Sequence, residues 1–143
     1  MKKTQNFQNH TRLVRGWHFY TFALLLATLI GSFVNLYHAA PEVHYSAALI
    51  CCILLVMGAF FWYIRAFALK AQDRAIRAEE NFRHFILTGK PLPSGLRLSQ
   101  IIALRFASDA ELPALAERAV LEKLSNKQIK QAVQEWRADY NRV

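Results

Sequence analysis

Two stretches decide the architecture: WHFYTFALLLATLIGSFVNLYH, residues 17–38, and YSAALICCILLVMGAFFWYI, residues 45–64. No Asp, Glu, Lys or Arg falls between Arg15 and Glu42, and none between Glu42 and Arg65. Each gap is long enough to cross a hydrocarbon core as a helix, which takes roughly 20 residues. Only a short tip, Ala39 to His44, separates the two runs, so the chain must turn back on itself as an antiparallel hairpin. A cleaved signal peptide would show a shorter apolar run, roughly 7 to 15 residues, ending at a small-residue site. Here the run is longer and holds Asn35, so a retained span is expected.

The basic residues orient this hairpin. Lys2, Lys3, Arg12 and Arg15 precede the first span with no acidic neighbour, the tip carries only Glu42, and the other basic side chains lie from Arg65 onward. Basic residues flanking spans stay in the cytoplasm, so both ends are expected there. Aromatic residues agree: Trp17, Phe19 and Tyr20 open the first span and Phe60, Phe61, Trp62 and Tyr63 close the second. Such rings favour the headgroup level of a bilayer. The net charge of +8 alongside 54% hydrophobic residues is thus a matter of segregation along the chain.

Working outward, the sequence divides into a basic arm (1–16), the hairpin (17–64), a helical extension (65–88), a Pro/Gly linker (89–95) and a small C-terminal domain (96–143). No Gly or Pro separates the second span from the extension, which predicts one long helix entering the cytoplasm. Gly89 suits the left-handed position that ends it, with Pro91 beyond. Ala68, Ala71, Ala75, Ala78, Phe82 and Phe85 alternate steps of three and four residues, which makes a narrow coiled-coil seam. That seam packs either on a partner helix or on the chain's own C-terminal domain. The domain itself reads as three short helices, the first roughly Ser99 to Ala107. Ser108-x-x-Glu111 and Ser125-x-x-Gln128 are capping boxes for the second and third. Ile129, Ala132, Val133, Trp136 and Tyr140 form one apolar stripe if the third helix runs on. The fold class is therefore all-α: an integral membrane hairpin, an extended second helix and a small three-helix domain.

Candidate functional residues fall into four sets. Ala23, Ala27, Gly31 and Asn35 share one face of the first span. Small residues at this spacing admit a close helix and a buried Asn can bond across it. The neighbour is either the second span, through Ala48, Cys52 or Ala59, or another subunit. The Ala68–Phe85 seam is the second set. Arg65, Lys70, Arg74, Arg77 and Arg83 are placed to meet anionic lipid headgroups, with a regional excess of eight basic over three acidic residues in 65–105. Asn6, Asn9, His10 and Arg12 give the arm hydrogen-bonding side chains that either dock on the cytoplasmic domain or belong to a topogenic tail.

Other chemistries lack their patterns. No phosphate-cradling glycine loop or nucleophile elbow occurs. His38 and His44 flank the tip, but no Cys-x-x-Cys-His or His-Glu-x-x-His accompanies them, so neither metal nor haem is expected. Cys51 and Cys52 are helix neighbours, unsuited to a mutual disulfide. Leu124 to Ile129 looks like the start of a helix-turn-helix scaffold helix, yet no recognition helix follows, and nucleic-acid binding is not expected.

Gln5-Asn6-x-x-Asn9-His10-x-Arg12 before a first span resembles the opening of an uncharacterised family of small bacterial two-helix membrane proteins, a domain of unknown function. Ala103-Leu104-Arg105-Phe106-Ala107-x-Asp109-x-Glu111-Leu112 is similar to the same family's C-terminal part, as are Ile129-Lys130, Trp136, Asp139 and Arg142-Val143. The resemblance implies a bacterial inner-membrane location and supplies no activity, because the family is a domain of unknown function. The expected function is a small non-catalytic structural or accessory subunit, or scaffold, acting through helix–helix contacts without a cofactor. Its partners are then the bilayer, anionic headgroups and either a second copy or a larger membrane complex. The alternative is a regulator whose basic juxtamembrane helix senses anionic lipid.

Overall fold

A computed structural model describes residues 5–10 and 14–140. The described residues are all-helical, with α1 (Phe22–His38), α2 (His44–Thr88), α3 (Leu98–Leu104), α4 (Leu112–Leu121) and α5 (Asn126–Ala132). The chain forms two compact units, one of Leu13–Ala68 and one of Met1–Arg12 with Leu69–Val143.

In the first unit, Gly16–Thr21 winds as a π-helical turn ahead of α1. The Thr21 hydroxyl donates to the Gly16 carbonyl at 3.0 Å, reaching back five residues. Trp17 stacks on Phe61 with centroids 4.0 Å apart, which sets α1 antiparallel to the apolar part of α2. Val43 N–H donates to the Ala40 carbonyl at 3.0 Å and tightens the connection. Ser32, Ala47 and Cys51 are buried in this unit, while Leu24, Ile30, Phe33, Ile53, Leu55 and Val56 remain exposed. Gly16–His38 and α2 are each long and apolar enough to cross a membrane.

In the second unit, Leu104, Leu112 and Ile129 are fully buried among Ala103, Ala116 and Ala119. Those alanines let short helices approach closely, which suits a core built from few residues. Buried Gln100 fastens it: Nε2 donates to the Leu124 carbonyl (2.8 Å) and the Ala119 carbonyl (3.3 Å), and Oε1 accepts from Arg97 N–H (2.7 Å). The Ser125–Gln128 box forms as expected, with Gln128 Oε1 accepting from Ser125 N–H at 2.8 Å. Ser108 and Glu111 also meet reciprocally, at 3.4 and 3.5 Å, just ahead of α4.

The linker is folded against the end of α2. Gly89 takes φ +70 and its N–H reaches the Phe85 carbonyl at 2.8 Å. His84, itself buried, donates through Nδ1 to the Lys90 carbonyl (2.8 Å), and Asn81 Oδ1 accepts from Leu92 N–H (3.0 Å). The Lys90 carbonyl and the amide of buried Leu92 thereby gain side-chain partners on α2.

One expectation fails here. The third helix was expected to carry Trp136 and Tyr140 on its stripe, but α5 stops at Ala132 and Val133 is extended (ψ 121). The cause is a competing acceptor. Glu111 takes the N–H groups of Gln134 (3.0 Å) and Glu135 (3.3 Å), and the Phe106 carbonyl takes that of Arg137 (2.8 Å). Those donors are lost to any continued helix.

Candidate functional site: the seat of the N-terminal arm

The turn Asn6–Asn9 shapes the arm before it docks. Asn9 Oδ1 accepts from Asn6 N–H at 2.6 Å, and Asn6 Oδ1 accepts from the N–H groups of Gln8 (2.9 Å) and Asn9 (3.2 Å). Short polar side chains commonly replace backbone partners in such turns. Asn6 and Asn9 thus shape the arm, and His10 reaches the helical domain. Arg12 lies outside the described residues.

His10 sits against the rings of Phe106 (5.7 Å, edge-on) and Trp136 (5.9 Å). Phe106 and Trp136 stack on each other at 4.6 Å, and the Arg105 guanidinium lies 4.5 Å from the Phe106 centroid. The Phe7 carbonyl, 2.7 Å from His10 Nδ1, can only accept, which puts the ring proton on Nδ1. Nε2 is left as an acceptor, and Lys130 Nζ lies 3.0 Å from it. Such a contact between an imidazole lone pair and an ammonium group fixes the ring's orientation.

Beside it, Gln5 makes a two-point contact with one residue. Its Oε1 accepts from Asp139 N–H at 2.7 Å and its Nε2 donates to the Asp139 carbonyl at 3.2 Å. The Asp139 carboxylate pairs with buried Arg105 at 3.1 Å. Replacing Gln5 by Ala removes both bonds and should cost the arm about 1–2 kcal/mol. Hydrogen exchange of the Asp139 amide should quicken in the full-length variant, and unchanged exchange there would show that the contact carries no weight.

Gln5, Phe106, Lys130, Trp136 and Asp139 were not among the candidate site residues. Every one of them lies in the stretches on which the family resemblance rests. Those stretches, far apart in sequence, converge on this seat.

The remaining predicted sets are placed as follows. Ala23, Ala27, Gly31 and Asn35 are all exposed, and a Cβ added at Gly31 would meet nothing within 4 Å. Cys52 and Ala59 are exposed too; burial within the hairpin runs through Ser32, Ala47 and Cys51. On α2, Ile76, Glu80 and His84 are buried, whereas Ala71, Ala75, Ala78, Phe82 and Phe85 are exposed and Ala68 is half-buried. The seam is therefore left uncovered by the C-terminal domain. Among the basic residues, Lys70, Arg74 and Arg77 are exposed and Arg65 is half-buried.

Arg83 differs from the rest of its set. It donates to Glu80 (2.9 Å), Asp109 (2.6 Å) and the Ala107 carbonyl (2.8 Å), so its guanidinium ties α2 to the turn before α4. Arg137 approaches the other oxygen of Glu80 at 3.8 Å. This ion-pair hub gives Arg83 contacts within the unit, in contrast to the exposed side chains of Lys70, Arg74 and Arg77.

No curated protein and no solved structure matches the chain. The sequence pattern of a family of unknown function, DUF6526, matches residues 1–143, the whole length. It bears out the resemblance drawn from the two ends of the sequence: the chain belongs to the DUF6526 family.

Proposed function

We propose that this is a small non-catalytic protein of the bacterial inner membrane, a structural or accessory subunit that assembles through helix–helix contacts. The hairpin crosses the bilayer with both ends in the cytoplasm. What supports the assembly role is Asn35. Its carboxamide is exposed and has no hydrogen-bond partner among the described residues, on a face otherwise made of Ala23, Ala27 and Gly31. In hydrocarbon an unpaired amide is costly, and a neighbouring helix is the available source of a partner. A second copy supplies one directly, because a two-fold pairing brings Asn35 to Asn35. The open Ala68–Phe85 face of α2 extends the same logic beyond the bilayer.

The test is native mass spectrometry of the full-length protein, extracted gently from its own membranes at natural expression. A single-species oligomer is expected, weakened by Asn35→Leu by about 0.5–2 kcal/mol, the range of such bonds between membrane helices. A stoichiometric foreign subunit would make the chain an accessory component. A monomer insensitive to Asn35→Leu would overturn the assembly role.

A further inference from the structure

Arg74, Arg77, Ala78 and Asn81 follow one another along α2 at steps that keep them on one side of the helix. Facing them are Leu92, Pro93, Ser94 and Leu96 from the connection after α2, and Ile101 of α3. Between these walls lies a cavity of about 350 Å³. All of it belongs to the unit of Met1–Arg12 with Leu69–Val143.

The walls are held in place. Asn81 Oδ1 accepts from Leu92 N–H at 3.0 Å, and the Pro93 carbonyl accepts from Leu96 N–H at 3.1 Å. Gly95 lies so close to α4 that a Cβ there would meet Val120 Cγ1 at 3.0 Å. The turn Pro93–Leu96 is thus pinned from both sides.

The chemistry of the cavity is one-sided. Neither Arg74 nor Arg77 has an ion-pair partner among the described residues, and none of the lining residues is acidic. The Asn81 oxygen is engaged, which leaves its Nδ2 as a donor in a cavity that Ser94 also lines. Guanidinium groups donate and never accept. A cavity of comparable size at Gln72 and Tyr140 differs, because Glu79, Glu80 and Asp139 share it with Arg105 and Arg137. Its charges are mixed and call for no anion. In the first cavity two free arginines stand over an apolar floor of Leu92, Leu96 and Ile101.

We propose that this cavity binds a phosphate ester. Arg74 and Arg77 hold the phosphate oxygens, the geometry for which arginine is suited. The carbon skeleton of the ester lies on Leu92, Leu96 and Ile101. A phospholipid headgroup and a soluble phosphate ester share this chemistry. The first source rests on the membrane placement proposed above; the second does not.

The experiment uses the full-length protein in a nonionic detergent. The soluble probe is glycerol 3-phosphate, titrated by calorimetry. The lipid probe is phosphatidylglycerol, scored by native mass spectrometry against phosphatidylcholine. Arg74→Gln with Arg77→Gln is compared with Lys123→Gln with Lys127→Gln, which removes the same charge from exposed positions elsewhere. At least one probe should bind, with affinity lowered about tenfold for each arginine removed and unchanged in the lysine variant. Binding of glycerol 3-phosphate alone identifies a soluble ester, and binding of phosphatidylglycerol alone identifies the headgroup. Failure of both probes to bind overturns the proposal. Equal losses in the two double variants also overturn it, because they would show diffuse attraction to net charge.

Discussion

Replacing Phe106 by Ala should lower the stability of the arm-bearing unit by about 3–5 kcal/mol, the range for truncating a buried aromatic residue. Phe106 is fully buried and stands at the centre of the seat. It stacks on Trp136, meets the edge of His10 and carries the Arg105 guanidinium over its ring. Its backbone carbonyl holds Arg137 N–H, a bond the substitution leaves in place. The loss is therefore one of packing, and it should spread to both segments that rest on the ring. Hydrogen exchange on the full-length protein in detergent should show residues 5–10 and 134–140 losing protection before α3 and α4. Uniform loss across the unit, or a change below about 1 kcal/mol, would falsify the placement of Phe106 as the seat's centre.

Arg83→Ala is the second large effect, again about 3–5 kcal/mol, because it leaves a buried carboxylate without its close partner. The Glu80 side chain is only 7% exposed. The remaining cation near it, Arg137, stands off at 3.8 Å on a side chain 54% exposed, where solvent weakens the attraction. The Ala107 carbonyl loses its donor as well. Arg77→Ala, at an exposed position on the same helix, should change stability by no more than about 0.5 kcal/mol. The two variants alter net charge equally, so exchange rates of the α3–α5 amides separate a structural arginine from a surface one. Similar effects from both would sink the ion-pair hub.

That contrast shows what the sequence carried and what it did not. The apolar runs were legible because a bilayer-length gap in charge is a local pattern, readable from Arg15, Glu42 and Arg65 alone. The end of α2 at Gly89 and the Ser125–Gln128 box were legible for the same reason: each is chemistry within a few residues. The direction in which α2 buries itself was not. Arg83 sits in a run of charged residues that looks uniformly solvated, and only the approach of Asp109 and Ala107 distinguishes it. The Trp136 segment was misread because helical spacing continues past Ala132 in sequence, while the acceptor that ends the helix, Glu111, lies far back along the chain. The seat of His10 joins positions too distant for any periodicity to register. The residues that drew the family resemblance were the one sequence-level sign of it.

The two-point contact of Gln5 with Asp139 bears on how a finished copy differs from a misassembled one. In the proposed topology the arm must stand on the cytoplasmic side to meet a segment 134 residues further along the chain. A copy whose arm has crossed the bilayer has no Asp139 within reach. Its Phe106–Trp136 stack would lack the His10 ring. In that topology the seat would close only in copies whose arm and Asp139 segment have come to the same side.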